Sequence, residues 1–359
     1  MNRLAKDIAP LLRGLSFDGE KGDIVIYRDQ INQPELSCEA DELSEKFKKG
    51  MRSVSITGVG AFLLGEDYDD ALNGTSTASK MTGRAAVVNN KICVVTGGAQ
   101  GFGEAITREL ISHGAIVFIA DMNVEGAKVL AAELNTQQGR TVAFGVAVNV
   151  TDEDSVKGMV SEIVETAGGI DVFVSNAGVL KAASVKQQSL ADFSFVTNVN
   201  YIGFFLCTKH VAPVMEQMNR PLGNYFTDII SISSKSALEG SNRNGAYAGS
   251  KFGSVGLVQS FAKELVEDNT KVNTICPGNF FDGPLWSDPD SGLFVQYLNT
   301  GKVPGAKSLD DVRHFYESQV PMNRGCDGED VTRAILYAVE QRYETGQAIP
   351  VTGGQVMLN

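Results

Sequence analysis

Residues 91–114 read KICVVTGGAQGFGEAITRELISHG, and this stretch decides the fold. Ile92 to Thr96 is an unbroken apolar run, the pattern of a strand covered on both faces. Four glycines follow in TGGAQGFG: Gly97, Gly98, Gly101 and Gly103. Ala105, Ile106, Glu109 and Leu110 then recur with helical spacing, and Gly114 is placed to stop the helix. A glycine turn between a strand and a helix lets a pyrophosphate approach the backbone, where free N–H groups and the helix dipole favour an anion.

Downstream the same alternation repeats. AIVFIAD is the next strand, VEGAKVLAAELNTQ a helix, TVAFGVAV a strand, DEDSVKGMVSEIVETAGG a helix and IDVFVSNAG a strand. FSFVTNVNYIGFFLCTKHVAPVMEQM reads as a long apolar helix, followed by the strand DIISIS and a helix through FGSVGLVQSFAKELVED. KVNTICPG and QAIPVTGG are the last strands. Strands alternating with helices specify an α/β fold with a doubly wound parallel sheet. Upstream, residues 1–90 differ. LAKDIAPLLRGL predicts an amphipathic helix, GDIVIYRD a strand, and RSVSITGVGAFLLGED two short strands around Gly58 and Gly60. LSCEADELSEKFKKG is charged and helix-prone, and DYDDALNGTSTASKMTGRAAVVNN runs from an acidic helical start into a candidate linker. The expected organisation is a small α+β extension over 1–90, structural in role, and a second domain over 91–359 that carries the sites.

Composition excludes several classes. The chain has 359 residues, 43% of them hydrophobic, and a net charge of −12. A nucleic-acid footprint needs a basic face, and no basic run occurs, so no nucleic-acid partner is expected. No signal-like segment stands at the N-terminus, and no uninterrupted apolar run reaches the roughly 20 residues that span a bilayer, so a cytoplasmic protein without a membrane partner is expected. The five cysteines are scattered without a CxxC pair, and the three histidines stand far apart, so no metal site is expected.

The chemistry concentrates in DIISISSKSALEGSNRNGAYAGSK, residues 228–251. Tyr247 and Lys251 share one helical face, and Ser234 precedes Tyr247 by thirteen residues. A hydroxyl, a phenol and an ammonium form a set able to move a proton to or from a carbonyl or alcohol oxygen. A nearby ammonium is expected to lower the phenol pKa toward neutrality. Asp121, eighteen residues after Gly103, ends the second strand. There a carboxylate accepts hydrogen bonds from ribose hydroxyls and repels a 2′-phosphate, or else it caps the next helix. SNAG (Ser175 to Gly178) is either a close approach to a cofactor or an ordinary turn. Asn200, in an apolar helix, either holds a water in a proton relay or satisfies neighbouring backbone.

The ordered set of TGGAQGFG, Asp121, SNAG, Asn200, Ser234, Tyr247, Lys251 and Pro277-Gly278 resembles the short-chain dehydrogenase/reductase family from Lys91 to the C-terminus. The resemblance implies a Rossmann fold. It implies that Tyr247 is the general acid–base, that Lys251 tunes it and holds the nicotinamide ribose, that Ser234 binds the substrate oxygen and that Asn200 anchors the relay water. It also implies a cofactor surface of Gly97, Gln100, Gly101, Phe102, Gly103, Asp121, Met122, Asn149, Val150, Asn176, Ala177, Gly178, Tyr247, Lys251, Pro277 and Gly278. NAD is expected over NADP because of Asp121 and because the glycine turn carries no cation. A homodimer or homotetramer is expected from the family.

Two departures stand out. Asp282 occupies the place where the family often has a threonine that binds the nicotinamide carboxamide. Asn149 replaces the acid that usually precedes the adenine-contacting valine. SNAGVLKAA, VNYIGFFLCTKH, SISSKSALEGSN, YAGSKFGSVGLVQS, VPMNRGCDGEDV and VTGGQVM further resemble the sorbitol-6-phosphate 2-dehydrogenase branch, which implies a sugar or sugar-phosphate substrate, interconverted as sorbitol 6-phosphate and fructose 6-phosphate. IAPLLRG and GVGAFLLGED are similar to connecting sequence of fused class II aldolase–dehydrogenase proteins, which keeps a deoxysugar or small hydroxy-carbonyl substrate open. A non-catalytic NAD-binding sensor is the alternative from another class. Lys181, Lys235, Arg243 and Arg324 are the candidate cations for a substrate phosphate. Residues 279–320 form a long insertion in which Phe280, Phe281, Leu285 and Trp286 read either as a lid or as a hydrophobic anchor or subunit contact.

Overall fold

In a computed structural model that describes residues 3–78, 81–223, 225–290, 292–299, 301 and 303–357, the chain opens with α1 (Arg3–Leu15) and a four-stranded sheet. This sheet comprises β1 (Ile24–Arg28), β2 (Leu36–Cys38), β3 (Ser53–Ile56) and β4 (Gly60–Gly65), with the short α2 (Leu43–Lys46) between β2 and β3 and α3 (Tyr68–Asn73) after β4. The strand order is β1-β4-β3-β2. The expected strands around Gly58 and Gly60 pair antiparallel as β3 and β4, with Ile56 opposite Gly60. One correction concerns LSCEADELSEKFKKG, expected to favour helix. Its first three residues form β2, paired parallel with β3, and only four residues become α-helix. The polar run lacks a helix-long apolar face, so strand pairing captures its start. Ser79 and Lys80 of the linker stretch lie outside the described residues.

The second sheet contains seven parallel strands in the order β11-β10-β9-β8-β5-β6-β7. They are β5 (Ile92–Thr96), β6 (Ile116–Asp121), β7 (Ala143–Ala147), β8 (Val172–Ser175), β9 (Thr227–Ile232), β10 (Thr270–Pro277) and β11 (Ala348–Val351). All seven match the strands expected from sequence, and the doubly wound parallel α/β fold stands. Helices α4 (Gly101–Ser112), α5 (Val124–Gln138), α6 (Glu153–Ala167), α7 (Leu190–Thr197), α8 (Gly203–Asn219) and α9 (Gly245–Leu265) connect successive strands through β10. A one-turn π segment, Asn198–Ile202, joins α7 to α8. The insertion before β11 forms α10 (Pro284–Ser287), α11 (Leu293–Asn299) and α12 (Leu309–Ser318), and α13 (Gly328–Glu340) leads into β11.

The run Leu190–Asn219 is, by length and composition, long and apolar enough to cross a membrane. The sequence marks a long apolar helix here, and Asn198, Asn200, Lys209 and His210 interrupt its apolar stretches, so that no uninterrupted run reaches a bilayer's span. It carries Phe204, Cys207, Val211 and Met215 into the main core, which it shares with β5, β6 and the N-terminal sheet. A third of its apolar window is buried, and its outer side exposes Phe193, Phe195, Ile202 and Phe205.

The N-terminal elements are tied to the parallel sheet by charge as well as by apolar packing. Arg13, at the end of α1, is 1% exposed and meets Asp171 Oδ2 at 2.5 Å, just before β8. The same carboxylate accepts from the Ile92 N–H at 2.7 Å and from the Tyr225 hydroxyl. Arg13 also donates to the carbonyls of Gly22 and Asp23. A buried charge is tolerated only when paired and hydrogen-bonded, and this network meets both conditions.

Candidate active site

The glycine turn closes because three of its residues lack a Cβ. Gly97 and Gly101 stand at φ 61° and 58°, the left-handed region that glycine enters without strain. A Cβ on Gly103 would lie 1.9 Å from the Gly97 carbonyl, so a side chain there would force the turn open. The Asn176 side-chain amide donates to the carbonyls of Thr96 and Gly97 at 3.0 and 3.1 Å, and Thr96 Oγ1 accepts from the N–H groups of Asn176 and Ala177. SNAG therefore clamps the glycine turn. The result is a backbone cradle at the N-terminus of α4 that suits a pyrophosphate.

Asp121 is nearly buried, and its carboxylate accepts from the N–H groups of Ala99 at 3.1 Å and Asn123 at 2.9 Å. It does not cap α5. That task falls to Asn123, whose side chain accepts from Gly126 N, a cap the sequence reading did not single out although Asn two residues after a strand is a preferred cap type. Asp121 thus stays beside the glycine turn, where a ribose diol fits. The neighbouring candidates divide. Gln100 holds the N-cap position of α4 without a side-chain bond, and Met122 is exposed. Val150 is buried against Gly203. Asn149 Oδ1 already accepts from Thr151 N and Oγ1. Phe102 stacks on Phe280 with ring centroids 4.5 Å apart.

Ser234, Tyr247, Lys251 and Asn200 converge at the carboxyl edge of the sheet. Ser234 follows β9 and caps a short 3-10 turn, its hydroxyl accepting from Ser236 N. The same hydroxyl lies close enough to the Tyr247 phenol to favour its ionised form. Tyr247 and Lys251 lie one turn apart on α9, with Nζ 5.7 Å from the phenol ring centroid. Nζ donates to Ile232 O at 2.8 Å. Asn200, 5% exposed within the π segment, accepts from Val179 N at 2.8 Å and donates to Val179 O and Ser250 Oγ. A Cβ on Gly178 would stand 3.4 Å from Asn200 Oδ1 and 3.6 Å from Lys251 Nζ. The small residue keeps open the space where these two groups meet.

The electrostatics differ from the expectation that an ammonium brings the phenol toward neutrality. Burial is the largest influence on Tyr247 and raises its pKa, with the nearby Ser234 hydroxyl pulling the other way. Burial also lowers Lys251 from 10.5 to about 8. The ammonium is turned to a carbonyl and the ring face, and desolvation weighs on both groups. Cys276, in the apolar run KVNTICPG that suits a small core residue, lies beside this cluster. Cys276 is fully buried close to Ser234, and burial pushes its pKa up to about 11.

The insertion supplies the roof. Phe281 and Trp286 are buried with Leu293, Phe294, Val312 and Val320 in a small core of their own, so they anchor the segment. Phe280 faces the glycine turn through Phe102, Pro284 lies 3.6 Å from the Cβ position of Gly101, and Leu285 is half exposed. Asp282 pairs with Arg313 at 2.8 Å, which engages its carboxylate within the insertion. Pro277 ends β10, and Gly278 N bonds Val351 O, placing the Pro-Gly pair between β10 and β11. The candidate substrate cations also part. Lys235 is 3.9 Å from Glu239, and Arg324 pairs with Asp330 at 2.5 Å. Lys181 and Arg243 are exposed. Among the described residues no group of three or more His, Cys, Asp or Glu is placed to hold a metal ion.

A family model described as short chain dehydrogenase matches residues 91–286. Sorbitol-6-phosphate 2-dehydrogenase of Escherichia coli K12 is 35% identical over 271 residues, 75% of this chain and 99% of that protein. A 3-oxoacyl-[acyl-carrier-protein] reductase of Thermotoga maritima is 32% identical over 272 residues, 75% of this chain and 99% of its own length. The crystal structure of sorbitol-6-phosphate 2-dehydrogenase from Erwinia amylovora superposes with a TM-score of 0.68 at 36% identity, covering 74% of this chain and all of that one. About a quarter of the present chain has no counterpart in these three proteins.

Proposed function

The chain belongs to the short-chain dehydrogenase family, and from that premise we propose that it interconverts a sugar alcohol and a ketose with NAD, sorbitol 6-phosphate and fructose 6-phosphate being the preferred pair. Its class is that of an NAD(P)-dependent oxidoreductase acting on CH–OH groups. The similarity that carries the substrate reading is to sorbitol-6-phosphate 2-dehydrogenases of two organisms along their full length. Asp121 supports NAD. Its carboxylate lies beside the glycine turn, where a 2′-phosphate would meet a like charge.

In this reading Tyr247 gives its proton to the carbonyl oxygen during reduction and takes one from the alcohol during oxidation. Ser234, beside the phenol, holds the same oxygen. Lys251 supplies positive charge beneath the ring, and Asn200 fixes the backbone at Val179 so that the space beside Gly178 stays open to a proton-carrying water. Gly97, Gly101 and Gly103 hold the pyrophosphate, and Asp121 the adenosine ribose. The bound nicotinamide supplies or receives the hydride.

We read the chain as a homo-oligomer on account of the apolar face formed by Phe193, Phe195, Ile202 and Phe205, with Phe252 of α9 beside them, each more than a third exposed. All five cysteines are free, which suits a reduced cytoplasmic compartment. Oxidation of NADH by fructose 6-phosphate, run beside free fructose, other ketoses and a parallel series with NADPH, tests the function. Turnover of fructose 6-phosphate with NADH preferred is expected. Turnover of no sugar ketone overturns the substrate reading, and preference for NADPH overturns the cofactor reading.

A further inference from the structure

We propose that the cavity beside the start of α9 receives the phosphate of the substrate and that Arg243 is its cation. This rests on the sugar-phosphate reading above. The cavity encloses about 520 Å³ between residues 183–193 and 241–245. Ser184, Gln188, Ser241, Asn242 and Arg243 bring hydroxyl, amide and guanidinium groups to it.

Both walls belong to segments that adjoin the catalytic groups along the chain. Gly245 lines the cavity and opens α9, two residues before Tyr247. The facing wall descends from Gly178, which adjoins Lys251 Nζ and Asn200 Oδ1, and reaches the cavity at Ala183. A parallel bridge between Ala183 and Asn244 pins the two walls together. The proposal places the reacting carbon of the sugar at Tyr247 and its phosphate end past this bridge, in the cavity.

The other cations named for this role are engaged or stand elsewhere. Lys235 faces Glu239, and Arg324 is held by Asp330 next to Gly278, on a different cavity. Lys181 is not among the residues lining the Arg243 cavity. Among the described residues Arg243 has no carboxylate partner, and its backbone holds a φ of 55°, uncommon outside glycine. A planar guanidinium beside hydroxyl and amide donors is the chemistry that recognises a phosphate monoester dianion. In a chain of net charge −12 that recognition must be local.

The test compares Arg243→Gln with the parent enzyme on fructose 6-phosphate and on free fructose. Loss of the guanidinium should reduce kcat/KM for fructose 6-phosphate about tenfold more than for free fructose, the worth of one charge-assisted hydrogen bond, and Arg243→Lys should recover part of the difference. An equal loss on both sugars, or none on the phosphate ester, overturns the proposal while leaving the dehydrogenase reading in place. Should the parent reduce no ketose, the functional reading itself has failed. The cavity is then judged with inorganic phosphate alone, which should raise the melting temperature of the parent more than that of Arg243→Gln. Equal shifts overturn it.

Discussion

The two edges of the parallel sheet treat buried charge in opposite ways. At the amino edge, Asp171 meets Arg13 and Asp228 meets Lys271, and all four side chains are at most 2% exposed. Lys271 also donates to the carbonyls of Ala338 and Gln341, at the end of α13. At the carboxyl edge, among the described residues, Lys251 has one carbonyl and no carboxylate, and Asp121 receives only main-chain N–H groups. The amino edge spends its charges on one another and so holds layers together. The carboxyl edge leaves valence unspent, which is what a cofactor and a substrate require. A strongly shifted, carboxylate-free lysine in a cleft is a mark of function, whereas a closed buried ion pair is a mark of structure.

The largest effect expected is at the carboxyl edge and falls on chemistry alone. Tyr247→Phe removes the proton donor and keeps the ring. Ketose reduction should fall by about 10²- to 10⁴-fold, the usual worth of a general acid. NADH binding measured by fluorescence and the melting temperature should stay close to the parent's. An active Tyr247→Phe enzyme would show that the edge is not where the proton moves.

At the amino edge the same logic predicts a loss of stability with chemistry spared. Arg13→Met leaves Asp171 buried without its counterion, and breaking a buried pair costs roughly 3–5 kcal/mol. Denaturant unfolding should show that loss, while kcat of the molecules still folded changes little. The double variant Arg13→Met/Asp171→Asn should regain part of the stability, since no uncompensated charge remains. A single variant as stable as the parent would mean that the N-terminal elements are held by apolar packing, and the contrast between the edges would lose its amino half.

Sequence periodicity reached one edge better than the other, for a physical reason. Strand, glycine turn and helix are local patterns, so Ile92–Thr96, Gly97 to Gly103 and the Tyr247–Lys251 spacing could be read along the chain. The amino-edge pairs are not local. Arg13 and Asp171 stand 158 residues apart, and nothing in IAPLLRG distinguishes a buried arginine from a solvated one. The three residues of β2 were hidden for a similar reason, since only pairing with β3 makes them a strand. Asp121 lay between the two cases. Its position was legible, but its freedom from capping depended on Asn123 taking the cap. Phe281 and Trp286 were visible as an aromatic cluster, while the small core that makes them an anchor assembles from segments up to 39 residues apart (Phe281 to Val320).

The smallest effect is the sharpest test of the contrast, because its sign is opposite at the two edges. Lys251 is buried with a pKa lowered from 10.5 to about 8, so below pH 8 its charge burdens the folded state. The unfolded chain then binds the proton more tightly than the native one, and stability from this residue rises as pH climbs from about 8 to 10.5. Lys251→Met retains the stem's apolar bulk and removes the charge. At pH 7 it should unfold at higher denaturant than the parent, by on the order of 1 kcal/mol once the lost bond to Ile232 O is set against the relieved desolvation. That advantage should shrink as the pH passes 8 and the parent sheds its proton. Activity should collapse at every pH. Removal of an amino-edge cation destabilises and spares turnover, and removal of this one should stabilise and abolish it. If Lys251→Met is instead destabilised as Arg13→Met is, then Lys251 is a structural ion as well, and the open valence at the carboxyl edge resides in Asp121 and Arg243 alone.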